Sequence, residues 1–402
     1  MKRGIGDLAI LGGPPAFEEA LHVGRPHIGD RQAILDRIGD MLDRRWLTNS
    51  GPYTEELEER VADYLGVRHC VLTCNGTTAL QLAARALELA GEVIVPSFTF
   101  VATVHALSWT GLTPVFCDVD PATHNIDAVA AEKLVTDRTA AIVGVHLWGQ
   151  PCAVEAVSEV AERHGLRTMF DAAHAFGCSS GGRLVGGSPD AEVFSFHATK
   201  VLNAFEGGAI TTNDDGIGER ARLMRNFGFA DYDRVTSLGT NGKMSEAAAA
   251  MGLASFERLD AFIASNRANY LAYQTGLKDI DGLSFLSHDE TERRNYQHVV
   301  VEVDPDGSSV SCDTLIRVLW AENVLARRYF HPGAHRMEPY RSSMPDDRER
   351  LPVTDWLADR TLLLPNGGGL EPTAVARVCD LIRFTLERGA DVRERLQDGR
   401  DR

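Results

Sequence analysis

Short apolar, β-branched runs alternate with stretches of helical periodicity between about residues 55 and 215. The pattern predicts seven strands: His69–Thr73, Glu92–Val95, Pro114–Val119, Ala140–Val145, Arg167–Asp171, Ala191–Phe196 and Ala209–Thr212. It also predicts helices at Thr77–Ala90, Ala153–His164 and Asp215–Phe227. Because the strands are apolar almost throughout, helices should cover both faces of the sheet. This arrangement is typical of a largely parallel sheet in an α/β fold.

The pattern changes after residue 245 and predicts a smaller α+β region. The predicted elements are an Ala-rich helix over Ser245–Ile263, a second helix towards residue 280, a strand at His298–Val303, a helix at Cys312–Glu322, a loop over Phe330–Pro352 and a helix at Pro372–Glu387. The charged tail from Arg388 is expected to be frayed or disordered. We therefore expect a large domain with an amino-terminal segment over 1–265 and a small domain over 266–402.

Composition and charge exclude several classes of protein. The 402 residues carry a formal net charge of −16, which argues against general nucleic-acid binding. The chain shows neither an apolar stretch of membrane-spanning length nor a secretory signal. Its seven cysteines include no C-x-x-C pair, and its histidines have no metal-ligand spacing. We therefore expect a cytoplasmic protein with neither a metal site nor a membrane partner.

Lysine is scarce enough to single out one candidate for amine chemistry. Lys and Arg total 41, of which five are lysines, at positions 2, 133, 200, 243 and 278. Lys200 closes the run Val193-Phe-Ser-Phe-His-Ala-Thr-Lys200, directly after an apolar strand. Apolar surroundings should lower the pKa of this amine, and only the neutral amine attacks a carbonyl. A solvated surface position is the ordinary interpretation of Lys133 and Lys278, whereas Lys2 lies in the amino-terminal segment and Lys243 in a polar loop.

Three further candidates follow predicted strands, so a parallel sheet would bring them to one edge together with Lys200. Asp171 ends a strand and could cap a helix or pair with a pyridinium nitrogen. Gly76 and Thr77 begin a helix that could bind phosphate through its free N–H groups, or could simply be capped. Phe98 and Phe100 supply aromatic rings that could stack on a planar ligand, and one of the two is expected to belong to the core. Together these parts predict a pyridoxal phosphate site.

Four motifs resemble those of the DegT/DnrJ/EryC1/StrS sugar aminotransferases. They are Phe194-Ser-Phe-His-Ala-Thr-Lys200-Val-Leu-Asn-Ala-Phe-Glu206-Gly-Gly-Ala, Asp171-Ala-Ala-His174-Ala-Phe-Gly, Pro96-Ser-Phe-Thr-Phe100-Val-Ala-Thr and Cys74-Asn-Gly76-Thr77. The resemblance extends over roughly residues 25 to 385. It implies a fold-type-I (aspartate aminotransferase-like) transferase with a mostly parallel seven-stranded sheet. It also implies a homodimer with each active site at the subunit boundary.

The resemblance also implies roles for individual residues. Lys200 would form the Schiff base with the cofactor and later move the proton. Asp171 would hold the pyridinium nitrogen, His174 would lie near the ring and its O3′, and Phe100 would stack on the ring face. Four residues are assigned to cofactor phosphate: Gly76, Thr77 and Ser195 of one subunit, and Asn241, which would reach the partner's cofactor.

Three further segments, Leu21–Pro26, Arg45–Pro52 and Arg328–Pro332, resemble enzymes of antibiotic deoxysugar pathways. The resemblance implies transfer of an amino group from L-glutamate to a nucleotide-linked keto-sugar. The expected reaction converts dTDP-4-keto-6-deoxy-D-glucose to dTDP-4-amino-4,6-dideoxy-D-glucose. The residues expected near the sugar nucleotide are Thr48, Gly51, Asn203, Tyr329 and His331.

Several alternatives stay open at this point. The enzyme could aminate C3 of a dTDP-3-keto-6-deoxyhexose, or remove a sugar hydroxyl as a dehydratase of the same family. Those dehydratases typically carry His at the position of Lys200, which favours the aminotransferase. A cysteine desulfurase would need an exposed catalytic thiol, and none of the seven cysteines stands out. A non-catalytic regulator that binds a ligand is the alternative from another class.

Overall fold

A sheet of seven strands forms the centre of the larger part of the molecule. The computed structural model describes residues 2–344 and 351–398. The strands are β1 Leu21–Arg25, β2 His69–Thr73, β3 Glu92–Pro96, β4 Thr113–Cys117, β5 Thr139–Val145, β6 Arg167–Asp171, β7 Ser179–Ser180, β8 Arg183–Leu184, β9 Ala191–Ser195, β10 Gly208–Thr212, β11 Phe229–Asp231, β12 Arg234–Val235, β13 Leu283–Phe285, β14 Val299–Val303, β15 Val324–Leu325, β16 Thr361–Leu364 and β17 Asn366–Gly367. The helices are α1 Arg31–Arg44, α2 Pro52–Leu65, α3 Gly76–Ala86, α4 Val101–Trp109, α5 Ala128–Glu132, α6 Val154–His164, α7 Asp215–Arg225, α8 Glu246–Phe256, α9 Leu259–Leu277, α10 Cys312–Ala321, α11 Tyr340–Ser343, α12 Pro352–Arg360, α13 Pro372–Glu387 and α14 Gly389–Asp398.

The order of strands in the large sheet is β2-β10-β9-β6-β5-β3-β4. The pairs from β9 to β4 are parallel, whereas β10 runs antiparallel to both β2 and β9. All seven predicted strands form, each within two residues of its predicted ends. The prediction of a mostly parallel seven-stranded sheet is therefore confirmed, and the carboxyl ends of β3, β5, β6 and β9 share one edge.

Helices cover both faces of this sheet, as the apolar strands predict. Neighbouring residues of β9 show the two faces, because Val193 and Phe194 belong to different buried clusters. Val193 packs in the cluster that contains α3, α4 and α7, whereas Phe194 packs in the one that contains α2 and α8. Since successive side chains of a strand point to opposite faces, apolar residues at both positions require this double cover.

A second, antiparallel sheet of order β13-β14-β16 forms the smaller part, with α9, α10 and α13 packed against it. The amino-terminal segment joins this part: β1 pairs with β15 and β17, and Leu8 and Phe17 lie in the same buried cluster. The division of the chain near residue 265 stays a prediction, and that position lies inside α9.

Two predictions for the chain after residue 244 are wrong. The helix expected over Ser245–Ile263 is two helices that meet at residues 257–258, because the change of direction lets Leu253 of α8 and Phe262 of α9 enter one buried cluster. The tail from Arg388, expected to be disordered, forms α14 up to residue 398 because Val392 is fully buried in the core of the smaller part. Residues 399–402 lie outside the described part.

The region expected to be a loop over Phe330–Pro352 contains a short helix, α11. Tyr340 begins this helix and is buried, and its hydroxyl lies 2.7 Å from Nδ1 of His105. Residues 345–350 of the expected loop lie outside the described part. No helix in the described ranges is long and apolar enough to cross a membrane.

Candidate active site

A cavity of about 320 Å³ opens at the edge of the sheet where the parallel strands end. Eight residues singled out in the sequence line it: Gly76, Thr77, Phe100, Asp171, His174, Ser195, Lys200 and Tyr329. They come from five separate segments of the chain, and the topology of the sheet brings them together. The cavity therefore lies where ligands bind in open α/β sheets.

Asp171 lies at the end of β6 and is buried. One carboxylate oxygen accepts a hydrogen bond of 2.7 Å from the hydroxyl of Thr103, and the other accepts one of 3.0 Å from the N–H of Ala173. These two bonds fix the carboxylate at the cavity wall. A buried carboxylate held in this way is suited to pair with a cationic ring nitrogen of a ligand.

Lys200 follows β9 after a turn in which its N–H donates to the carbonyl of His197 at 2.8 Å. Its side chain lines the cavity, and the residue as a whole is half-buried. Burial lowers the pKa of Lys200 to about 8, and the negative charge of Asp171 acts in the opposite direction. A lysine with this pKa exchanges its proton near neutral pH, as amine and proton-transfer chemistry require.

Two buried histidine rings lie beside Lys200. The rings of His174 and His298 are 4.3 Å apart between centroids, and His174 also stacks on Trp148 at 5.7 Å. Burial and the nearby charge of Lys200 lower the pKa of His174 well below its ordinary value and that of His298 to about 3. Both rings are therefore neutral at physiological pH, and they add uncharged aromatic surface close to the amine.

The N-terminus of α3 has the features of an anion-binding site. The side chain of Asn75 accepts the N–H of Thr78 at 2.8 Å, whereas the N–H groups of Gly76 and Thr77 have no partner within the described chain. A Cβ at position 76 would lie 3.0 Å from Cβ of Ser195, so glycine avoids a tight contact at this close approach. Free N–H groups at a helix start, next to a serine hydroxyl, suit a phosphate group.

The two phenylalanines after β3 have different roles, as the sequence analysis allowed. Phe98 is fully buried and packs edge-on against Trp148 and Phe330. Phe100 is 54% exposed and lines the cavity. An exposed aromatic ring at the mouth of a polar cavity is available to stack on a planar ligand.

Five of the residues expected to bind ligands do not line this cavity: Thr48, Gly51, Asn203, Asn241 and His331. Thr48, Asn241 and His331 are exposed, and the side-chain oxygen of Asn241 accepts a hydrogen bond from Nζ of Lys243. Gly51 is buried, and a Cβ there would lie 2.5 Å from Cδ of Glu246. Their assignment to ligand binding stays a prediction.

Asn203 needs separate comment because its amide is already engaged inside the protein. It is buried, its Nδ2 donates to the carbonyl of His27 at 3.2 Å, and its Oδ1 accepts the N–H of Phe205 at 2.8 Å. This geometry favours a structural role for Asn203 in shaping the turn after Lys200. The described contacts of Asn203 do not support direct contact with a sugar.

Sequence reasoning did not find Thr103, Trp148, His298 or Phe330. Thr103 carried a usable signal, since it lies three residues after Phe100 in the first turn of α4 and so faces the same edge of the sheet. Trp148, His298 and Phe330 carried none, because an aromatic residue at the end of an apolar run is ordinary core. Only the folded chain brings Phe330 to the cavity, and Trp148 and His298 against His174.

The cavity fits pyridoxal phosphate. Lys200 offers the amine and Asp171 the carboxylate, the start of α3 with Ser195 offers an anion site, and Phe100 and His174 offer flat faces on the cavity wall. The N–H groups of Gly76 and Thr77 have no hydrogen-bond acceptor among the described residues. A bound phosphate would supply one. The fold and the site together define the class: a pyridoxal phosphate-dependent enzyme of fold type I.

Comparison with known proteins gives the family. Residues 29–383 match the DegT/DnrJ/EryC1/StrS aminotransferase family, and the chain belongs to it. The chain is 35% identical over 366 residues to the dTDP-4-amino-4,6-dideoxy-D-glucose transaminase of Escherichia coli, covering 91% of this chain and 98% of that one. It is 36% identical over 347 residues to GDP-perosamine synthase of Caulobacter vibrioides, covering 85% and 92%.

A solved structure agrees with these relatives. DesI, in the presence of its TDP-sugar product, shares 49% identity and a TM-score of 0.94, covering 98% of this chain and all of that one. The expectation of family and fold from sequence motifs is confirmed. The protein is an aminotransferase, and pyridoxal phosphate is its cofactor.

Replacing Thr103 by Val should weaken cofactor binding. The change keeps the shape of the side chain but removes the 2.7 Å hydrogen bond to Asp171, and a bond to a charged group is worth about 1.5–3 kcal/mol. We expect a loss of affinity for pyridoxal phosphate of at least about tenfold, measured by titration of the apoprotein. Thr103→Ser keeps the hydroxyl and is the matched control. Equal affinity in the Val and Ser variants would show that the hydroxyl does not support Asp171.

Attachment of the cofactor should depend on pH with a midpoint near 8. Below that pH Lys200 is protonated and cannot attack an aldehyde; above it the neutral amine dominates. We therefore expect the rate of attachment to the apoprotein, followed by absorbance, to rise between about pH 7 and 9 and then level. Nα-acetyl-lysine with the same aldehyde is the control, and its rate should keep rising towards pH 10.5. An identical profile for the protein would contradict the lowered pKa.

Proposed function

We propose that the enzyme transfers an amino group from L-glutamate to C4 of dTDP-4-keto-6-deoxy-D-glucose and yields dTDP-4-amino-4,6-dideoxy-D-glucose. The observation that carries the proposal is Lys200, whose amine lines one cavity together with Asp171. The substrate is supported by the names of the E. coli relative and of DesI with its TDP-sugar product. The setting would be biosynthesis of a natural-product (antibiotic) sugar.

The described residues divide the work of this reaction. When bound, pyridoxal phosphate supplies an aldehyde carbon that carries the amino group and a ring that stores electrons. The N–H groups of Gly76 and Thr77 hold its phosphate, and the carboxylate of Asp171 holds its ring nitrogen. Lys200 then removes the proton from Cα of glutamate in one half-reaction and delivers a proton to C4 of the sugar in the other. Its pKa of about 8 allows both directions near neutral pH.

The structure favours transamination over the other chemistries. A sugar dehydratase of this family typically has His at position 200, and this chain has Lys there with its side chain in the cavity. A desulfurase needs a reactive thiol, and no cysteine is among the described residues that line the cavity. Burial raises the pKa of Cys117, Cys178 and Cys379, which keeps these thiols protonated and unreactive.

The reaction itself tests the proposal. Purified enzyme with glutamate and dTDP-4-keto-6-deoxy-D-glucose should give 2-oxoglutarate and a sugar whose amine, located by NMR, is on C4. Lys200→Ala should abolish turnover, because it removes the proton-transfer group. Lys133→Ala, which changes an exposed lysine after α5, is the matched control and should retain full activity.

Three outcomes would contradict the proposal. An amine on C3 would establish the alternative 3-aminotransferase. Turnover only with a GDP-linked sugar would move the substrate towards that of the Caulobacter relative. Unchanged absorbance of the bound cofactor with glutamate would leave the non-catalytic regulator.

We further propose a homodimer with shared active sites. The segment of β11 and β12 leaves apolar side chains in water in the single chain, with Tyr232 97% and Leu238 82% exposed. Asn241, expected to reach a partner's cofactor phosphate, follows this segment directly. A patch of this kind is typical of a surface that a second copy covers. Sedimentation equilibrium should give twice the 43.9 kDa of one chain; a monomer at micromolar concentration would contradict the proposal.

A cytoplasmic location is the last part of the proposal. All seven cysteines are free in the structure, and six of them are buried. Free thiols in this number suit a reducing compartment. The donor and the nucleotide sugar would meet the enzyme there.

A further inference from the structure

A column of stacked planar groups leads outward from the active site. The ring of His174 stacks on Trp148 at 5.7 Å, Trp148 on Phe330 at 5.1 Å, and Phe330 on Tyr329 at 5.3 Å, with interplanar angles of 23° or less. The guanidinium of Arg327 lies 5.4 Å from the centroid of the Tyr329 ring and ends the column. The column therefore joins a ring beside Lys200 to an exposed positive charge.

The guanidinium of Arg327 has no carboxylate partner within the described part of the chain. Its neighbour Arg328 has two carboxylates, those of Asp313 at 3.6 Å and Asp359 at 3.4 Å. Within residues 2–344 and 351–398, no carboxylate lies within 4.0 Å of the Arg327 guanidinium. Of two adjacent arginines, one is neutralised by the fold and the other is free for a ligand.

The position of Arg327 is fixed more firmly than that of an ordinary surface arginine. Its N–H donates to the carbonyl of Leu363 at 3.1 Å, and its carbonyl accepts the N–H of Leu363 at 2.8 Å. This pair ties the residue to β16, and stacking on Tyr329 restricts the side chain. A restrained guanidinium loses less entropy when it binds an anion.

The described lining of the cavity offers no arginine to the diphosphate of a nucleotide sugar. The described residues that line it include no arginine, and its acidic groups are Asp171 and Glu206. Lys200 is committed to the reaction and the start of α3 to the cofactor phosphate. A cation for the diphosphate is therefore sought next to the cavity, and Arg327 lies against Tyr329, which lines it.

We propose that Arg327 binds the diphosphate of the nucleotide sugar at the outer end of this column. The inference rests on the proposed function, because it takes the nucleoside diphosphate from that substrate. The guanidinium offers a planar pair of N–H donors that matches two phosphate oxygens.

Binding of dTDP to the cofactor-loaded enzyme, measured by calorimetry, tests the proposal without turnover. Arg327→Ala should weaken dTDP about tenfold or more, as expected for a lost hydrogen-bonded ion pair. Arg327→Lys keeps the charge but loses the planar pair of N–H donors. Its affinity for dTDP should lie between those of Arg327→Ala and the parent enzyme. Arg393→Ala, which removes an exposed arginine of α14, is the matched control and should bind dTDP like the parent enzyme.

A second measurement separates this proposal from the proposed function. The change in cofactor absorbance with glutamate alone reports the first half-reaction, and Arg327→Ala should leave both its rate and its glutamate dependence unchanged. Unchanged dTDP affinity in Arg327→Ala, with a normal glutamate reaction, would overturn the role of Arg327 and leave the transaminase intact. Weaker glutamate binding with normal dTDP affinity would also overturn it, and would assign Arg327 to the donor's carboxylate instead.

Discussion

Burial of the Lys200 amine beside the carboxylate of Asp171 is the constraint on which the site depends. Loss of hydration lowers the pKa of Lys200 to about 8, while the Asp171 charge prevents it from falling further. Asp171 can stay in this position because Thr103 and Ala173 donate hydrogen bonds to it. The amine is therefore ready for proton exchange near neutral pH without being permanently uncharged.

The neighbouring side chains preserve this balance. His174 and His298 are held neutral by burial, so they add flat surface near the amine without adding a competing positive charge. The strands that bring these groups together are mostly apolar, and helices cover both faces of the sheet. The parallel strands thus bring Lys200 and Asp171 to one edge of the sheet, and burial at that edge sets the pKa of the amine.

Most of the large sheet and much of its site could be predicted from the sequence, because the spacing of apolar residues along a strand or helix is a local signal. Every strand of the large sheet formed within two residues of its predicted ends, and the residues after the strands met at one cavity. The break between α8 and α9 could not be predicted, since an Ala-rich segment suits one helix or two and packing of Leu253 and Phe262 decides. Likewise, nothing in the sequence around Phe330 shows that it stacks on Trp148, about 180 positions earlier.

The acidic chain and its anionic substrate are reconciled at the level of single residues. The net charge of −16 describes the whole surface, and many arginines are paired with carboxylates. A free, restrained guanidinium beside the cavity creates a local positive site that the total conceals. Scarcity of lysine has the complementary effect, because it leaves few competing amines for the cofactor.

The central claim is that one lysine, Lys200, holds the cofactor. The most direct measurement is borohydride reduction of the holoenzyme, which traps a cofactor-lysine bond, followed by mass spectrometry of its peptides. The account predicts that the reduced cofactor is found on Lys200 and on none of the other four lysines. A label on Lys2, Lys133, Lys243 or Lys278, or no label on Lys200, would contradict it.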